Sequence, residues 1–277
     1  MMRYIKLVNF ELGRFLKIYL VLVGLTLVLQ LLGVFLEANG YLGEVEELVV
    51  NGNLTQEQFL HDYGYFSFND VSRSGWFIVP ILFCILTLMI YVFFIWYRDW
   101  VGKNTFAYRL LMLPTARINV FYAKATAIFL MVLGLVSLQL VYLPIENSVL
   151  RMMVPSDFRI DMTVDQILNG FDNLRVIFPT SLIQFIINYG IGFTAVFVLF
   201  TAILFERSFR WKGIILGLIF GAVAVVVFIS PILVQAFVLP EFFYPMELFI
   251  LVVITGLIVL AGTIWTSNFL LNKKIRV

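Results

Sequence analysis

Six long stretches of this chain contain no Asp, Glu, Lys or Arg: 18–36, 76–97, 125–143, 181–204, 213–239 and 248–271. All nineteen Lys and Arg and all seventeen Asp and Glu fall between or beyond them. Each stretch is close to the roughly 20 apolar residues that a helix needs to cross a bilayer. The bases are also distributed unevenly. If the N-terminus faces the cytoplasm, the inside segments hold Arg3, Lys6, Arg14 and Lys17; Arg98, Lys103, Arg109, Arg117 and Lys124; Arg207, Arg210 and Lys212; and Lys273, Lys274 and Arg276. Only Arg73, Arg151, Arg159 and Arg175 remain outside. The positive-inside bias thus orients six spans with both termini inside.

The chain is 62% hydrophobic and 13% charged, against about 25% charged for an ordinary soluble domain. This implies an all-α polytopic membrane protein. Cys84 is the single cysteine, which excludes an internal disulfide and a thiolate metal cluster, and His61 is the single histidine, which excludes a multi-histidine site within one chain. No metal ligands and no catalytic residues are expected. The first span is expected to be retained rather than cleaved, because the preceding stretch contains Glu11 and Ala38-Asn39-Gly40 makes a poor cleavage site.

Residues 1–17 read as an amphipathic helix. Arg3, Lys6, Arg14 and Lys17 share one arc, with Ile5, Val8, Leu12, Phe15 and Leu16 opposite, while Leu7 and Phe10 interrupt the basic side. Such a helix lies on the inner leaflet, apolar side in lipid; a plain helical overhang of span one is the alternative. The connections 37–75 and 144–180 are acidic and too long to be simple links, so they are expected to fold together as a small outer cap. Thr55-Gln56-Glu57-Gln58 and Thr163-Val164-Asp165-Gln166 have the capping-box form and predict short helices. The acidic residues lack the spacing of a calcium loop and read as ordinary loop charge.

Span five holds Gly213, Gly217 and Gly221 at four-residue spacing. Such a row lets two backbones approach closely in lipid, and it predicts a helix-packing face. Pro231 predicts a break or kink in the same span, because proline removes a backbone donor. A broken helix with a re-entrant end and a tilted, kinked single span are both open.

The segment 98–124 is the least bland part of the chain. It contains a compact amphipathic piece, Phe106 to Leu113, stopped by Pro114. Phe106, Leu110 and Leu113 lie on one side at i, i+4, i+7, with Tyr108, Arg109 and Arg117 nearby. A helix of this kind suits docking in a groove of a soluble partner; a lipid-bound connector is the alternative.

Here the chain resembles the permease subunits of ABC-2-type ABC transporters, in which an acidic residue is followed by Gly or Lys and Thr, a Leu-rich stretch ending in Leu-Pro, an Arg or Lys, and a Lys entering span three. The matching residues are Asp99, Gly102-Lys103-Asn104-Thr105, Leu110-Leu111-Met112-Leu113-Pro114, Arg117 and Lys124. Asp99 stands where many members have Glu. The resemblance extends to the N-terminal helix, the six N-in/C-in spans and the fifth span, and so covers nearly the whole chain. The large outer segments are more similar to Gram-positive permeases of antimicrobial-peptide and cell-wall-antibiotic defence.

The resemblance implies an ABC-2 (type V exporter-like) fold in the bacterial cytoplasmic membrane. It makes the 98–124 segment a coupling helix, with Asp99, Lys103, Phe106, Tyr108, Arg109, Leu110, Leu113, Pro114 and Arg117 facing a nucleotide-binding subunit. The chain has no Walker A loop, so ATP and Mg²⁺ would be held by a separate ATPase and no cofactor by this chain. A second permease copy or paralogue, two ATPase subunits and membrane lipids are the implied partners, and nucleic acid is not one. The apolar runs contain no ionisable group of the kind that proton-coupled carriers use. ATP-driven movement of an amphipathic or hydrophobic substrate, as in antibiotic efflux and resistance, is therefore the expected function. A non-transporting sensor or scaffold coupled to the same ATPase is the alternative, and a membrane enzyme is a weaker rival for want of catalytic groups.

Overall fold

The computed structural model describes the chain apart from residues 1, 53, 101–105, 113–114, 171–176, 180, 239, 241 and 276–277; at 2 and 106–108 it describes the backbone alone. Among the described residues the protein is all helix, without a β-strand. In chain order the helices are α1 (Met2–Val45), α2 (Gln56–Tyr63), α3 (Phe68–Arg73), α4 (Gly75–Trp100), α5 (Phe106–Leu111), α6 (Ile118–Met153), α7 (Val164–Gly170), α8 (Leu182–Phe209), α9 (Trp211–Phe237) and α10 (Pro245–Phe269). Single π-turns extend α1 over Glu46–Val50 and α10 over Leu270–Lys274. Six of these helices, α1, α4, α6, α8, α9 and α10, are long and apolar enough to cross a membrane. The chain therefore has the architecture of a multi-pass membrane protein.

Each expected span lies within one of these helices to within about two residues at its ends, but two helices run well past the apolar stretch. Residues 2–17 form no separate element, because α1 continues without a break from Met2 to Val45. Likewise α6 passes through Pro144 and ends only at Met153, shortly before Pro155. Helices stop where capping groups or proline end the hydrogen-bond ladder, not where the side chains turn polar.

The chain divides into two compact units. The first comprises Met1–Arg14, Met89–Leu130 and Ile186–Val277. Its interior is aromatic: Phe121 meets Phe197 and Phe200 edge-on at 5.0 and 5.7 Å, and Trp96 meets Phe200 at 5.6 Å. Edge-to-face geometry at this spacing adds to the area buried by each ring. Gly213 and Gly217 of α9 press against α8. A Cβ on Gly213 would collide with the Phe205 carbonyl, and one on Gly217 would sit 2.9 Å from the Ala202 carbonyl oxygen. Gly221 has open space in the same position, so the three-glycine row narrows to a two-glycine contact.

Pro231 does not break the fifth span. The helix α9 runs through it unbroken, and the structure supplies the reason. A proline at 231 leaves the carbonyl of Val227 without its i+4 donor. The Ser230 hydroxyl donates to that carbonyl at 2.8 Å, and the hydroxyl of Thr255, on α10, donates to the Phe228 carbonyl at 3.1 Å.

The second unit comprises Phe15–Leu88 and Met131–Phe185. Here the two long connections fold together as expected. Val34 and Ala38 of α1, Phe66, Phe68 and Val71, Phe77 of α4, Leu143 and Leu150 of α6, and Ile167 and Phe178 form one core. A short parallel bridge joins the connections: Phe66 N–H donates to the Phe158 carbonyl and Ile160 N–H to the Phe66 carbonyl, each at 2.9 Å. Both predicted capping boxes are present. Thr55 and Gln58 open α2, and Thr163 and Gln166 open α7. A third pairs Ser67 N–H with the Asp70 carboxylate at 2.8 Å and opens α3.

Candidate functional site

The structure brings the two ends of the 98–124 segment to a buried ionic network in the first unit. On α1 the side chains at 7, 8, 11 and 15 are turned inward, which puts Glu11 on the same buried stripe as Leu7 and Val8. Of the residues that the amphipathic reading put on the apolar side, Val8 and Phe15 pack inside the protein, while Ile5 and Leu16 are on its surface. On α4 the stripe Tyr91, Ile95, Asp99 is buried at four-residue spacing, and on α6 Lys124 follows Val120 and Phe121 into the interior. Glu11 is 2% exposed, and Asp99 and Lys124 are 1% exposed each.

Lys124 is the centre of this network. Its Nζ donates to Glu11 Oε1 at 2.7 Å, to Asp99 Oδ2 at 2.5 Å and to the Ile95 carbonyl at 3.0 Å, which uses all three of its protons. The ammonium also sits 5.3 Å from the Trp96 ring centre. The second carboxylate oxygens are taken by arginines: Arg98 Nη2 donates to Glu11 Oε2 at 3.1 Å, and Arg14 Nη1 to Asp99 Oδ1 at 2.7 Å. Arg14 and Arg98 keep part of their surface open, at 24% and 19%. Two buried carboxylates thus have every oxygen paired. An ion pair removed from water persists only when its remaining hydrogen-bonding capacity is met in this way.

Sequence reasoning counted Arg14 and Lys124 as inside charge, with Lys124 also the base entering span three, and used Glu11 only as evidence against a cleaved first span. An acidic residue at 11, set among bulky apolar residues, was the available signal. The runs are uncharged, but Glu11, Asp99, Lys124 and Glu146, all just outside them, are buried.

Of the other residues singled out in this segment, Lys103, Leu113 and Pro114 lie outside the described residues, and Phe106 and Tyr108 are described by backbone only. Arg109 is exposed, and Leu110 and Leu111 are buried at 6% and 5%. Met112 is 68% exposed. The surface that a partner would meet on α5 is therefore the side carrying Arg109 and Met112, while Leu110 anchors the helix to its own chain. Arg117 donates to the carbonyls of Leu271 at 2.9 Å and Ile275 at 3.2 Å. It meets carbonyls that the end of a helix leaves without intrahelical donors. Nearby, the Tyr97 hydroxyl donates to Glu206, and Arg207 lies 4.8 Å over the Tyr97 ring.

Chemically, this site is a clamp. Every oxygen of its two acids is paired with a base, and among the described residues no cluster of His, Cys, Asp and Glu is arranged to hold a metal ion. Its geometry fixes the end of α4 and the start of α6 to the first turns of α1. Compared with known proteins, the chain matches no protein-family model, no curated sequence and no solved structure.

Proposed function

We propose that this chain is the membrane-spanning permease subunit of an ABC-2-type ABC transporter. In this reading a separate ATPase docks on the 98–124 segment, and the complex moves an amphipathic or hydrophobic substrate such as an antimicrobial peptide, an antibiotic or a lipid-linked molecule. The chain lies in the bacterial cytoplasmic membrane with both termini inside, and a second permease completes the pathway. The observation that carries the reading is the placement of α5 between two helix ends locked by Glu11, Asp99 and Lys124. A push on α5 would then tilt α4 and α6 instead of bending a loose loop, because buried carboxylates paired at every oxygen resist rearrangement.

The test is co-purification of the solubilised protein with ATPases encoded beside it, comparing wild type with Arg109→Glu/Met112→Asp. Both positions are exposed, so this variant should keep its unfolding temperature and lose the ATPase. If wild type binds no ATPase, the reading fails. The packed core shared by the 37–75 and 144–180 segments favours a second reading, a ligand sensor coupled to the same ATPase. Substrate movement into inverted vesicles supports the transporter, and ligand-stimulated ATPase activity without movement supports the sensor.

A further inference from the structure

The second unit contains a carboxyl group in the opposite situation to the network described above. On α6 the helical period puts Glu146 on one face with Leu143 and Leu150, and those leucines pack with Val34, Ala38 and Phe77. Glu146 itself is 0% exposed, and among the described residues neither Oε1 nor Oε2 has a hydrogen-bond partner. Two more buried side chains in this unit have unmade hydrogen bonds. Gln30, one turn before Val34 on α1, is 0% exposed with Oε1 unpaired, and Gln139, two turns before Glu146, is 6% exposed with Nε2 unpaired.

The titratable groups that the surrounding elements carry within this unit are Lys17, Tyr19, Glu37, Tyr41 and Glu44 on α1, Asp70 and Arg73 on α3, Cys84 on α4, Tyr142 and Arg151 on α6 and Asp165 on α7. None of them forms a hydrogen bond or ion pair with Glu146. The Tyr142 hydroxyl donates to the Val23 carbonyl at 3.2 Å, and that of Tyr41 to the Gly64 carbonyl at 2.8 Å. Asp70 accepts from Ser67, and Cys84 is hydrogen-bonded to Thr26.

A bare carboxylate in such a place would lose its hydration with nothing in return, at several kcal/mol. A neutral carboxylic acid loses far less, and it gains an O–H donor in a core that already holds the unpaired Gln30 oxygen. We propose that Glu146 is a proton-binding site: it carries its proton in the closed second unit and releases it to solvent only when this core opens. Opening and proton loss are then one equilibrium, since the carboxylate needs the water that opening admits. This inference goes beyond the transporter reading and does not depend on it.

The test uses the full-length protein in lipid nanodiscs, with infrared spectra recorded across neutral and alkaline pH. The carbonyl band of a protonated carboxyl should be present in wild type at neutral pH, absent in Glu146→Gln, and lost from wild type in alkali together with a drop in unfolding temperature. Glu146→Gln and Glu146→Met should both fold, because each keeps the group neutral, and their unfolding temperatures should lack that alkaline drop. Absence of the band from folded wild type at neutral pH would overturn the proposal. So would failure of both neutral variants to fold. A rise in unfolding temperature with Na⁺ or K⁺ in wild type but not in Glu146→Gln would also overturn it, since a cation would then hold an ionised carboxylate.

Discussion

Glu11 and Asp99 in the first unit and Glu146 in the second are withdrawn from solvent to a similar degree, yet their surroundings differ completely. The first two share Lys124 and take one arginine each, so all four of their oxygens are paired. Glu146 has no hydrogen-bond partner among the described residues. The difference shows that burial alone says little about what an acid does. Where cations accompany the acids, the result is a stiff joint whose members depend on one another. Where they do not, the group is tolerable only in its neutral form, and its proton becomes part of the structure.

The comparison can be broken most directly at Lys124. Lys124→Met strands two buried carboxylates and should cost about 3–5 kcal/mol of stability, read as a large fall in unfolding temperature in detergent. Adding Glu11→Gln to Lys124→Met should recover part of that loss. An unchanged unfolding temperature in the single variant would mean the network is not the joint described here. Glu146→Gln, by contrast, should be neutral or stabilising near neutral pH, because nothing around it relies on its charge.

Smaller effects sharpen the same contrast between satisfied and unsatisfied groups. Gly213→Ala drives a methyl into the Phe205 carbonyl and should lose about 1–3 kcal/mol, whereas Gly221→Ala, which meets open space, should lose nothing. The pair is measured by the same thermal unfolding, and equal effects would contradict the α8–α9 contact. Thr255→Val removes the donor that serves the Phe228 carbonyl beside Pro231. About 1 kcal/mol should be lost, together with faster amide exchange around residues 228–232.

The smallest expected effect is at Asp161, which is exposed. The hydrogen bond from Arg159 holds its carboxyl below the usual range, assisted by the charges of Arg151 and Arg159. Its contribution is therefore present above the ordinary carboxylate range of about pH 4 and fades as the pH falls through the depressed value. Asp161→Asn should therefore lower stability slightly at neutral pH, with the difference vanishing in acid, so that the acid limb of the stability–pH curve is flatter. An effect of similar size at neutral and acid pH would argue against the charge-based account.

Much of the framework follows from residues close together in the chain. Six uncharged apolar stretches have only one way to satisfy their backbones, which is helix formation, and six helices of that kind are present. Thr55 with Gln58 and Thr163 with Gln166 act across three residues, and both boxes form. Of the amphipathic pattern read over 106–113, Phe106–Leu111 form a helix, and residue 113 lies outside the described residues.

The rest was decided by neighbours that no local pattern contains. Lys124 meets Glu11 from 113 positions away, so a base that reads as cytoplasmic charge becomes the centre of a buried network. Arg117 finds its carbonyl acceptors 154 and 158 positions on. Pro231 predicts a break from its own chemistry, but hydroxyl groups on its own helix and on α10 keep the helix whole. Leu110 belongs to an apolar face in sequence, and only packing determines that its side chain is buried against its own chain. Glu146 reads as one more acid in an acidic connection, but α6 continues past Pro144 and carries it into the core. Hydropathy and capping are local free energies and can be read along the chain. Burial of a charge depends on which partners the folded chain brings within hydrogen-bonding distance.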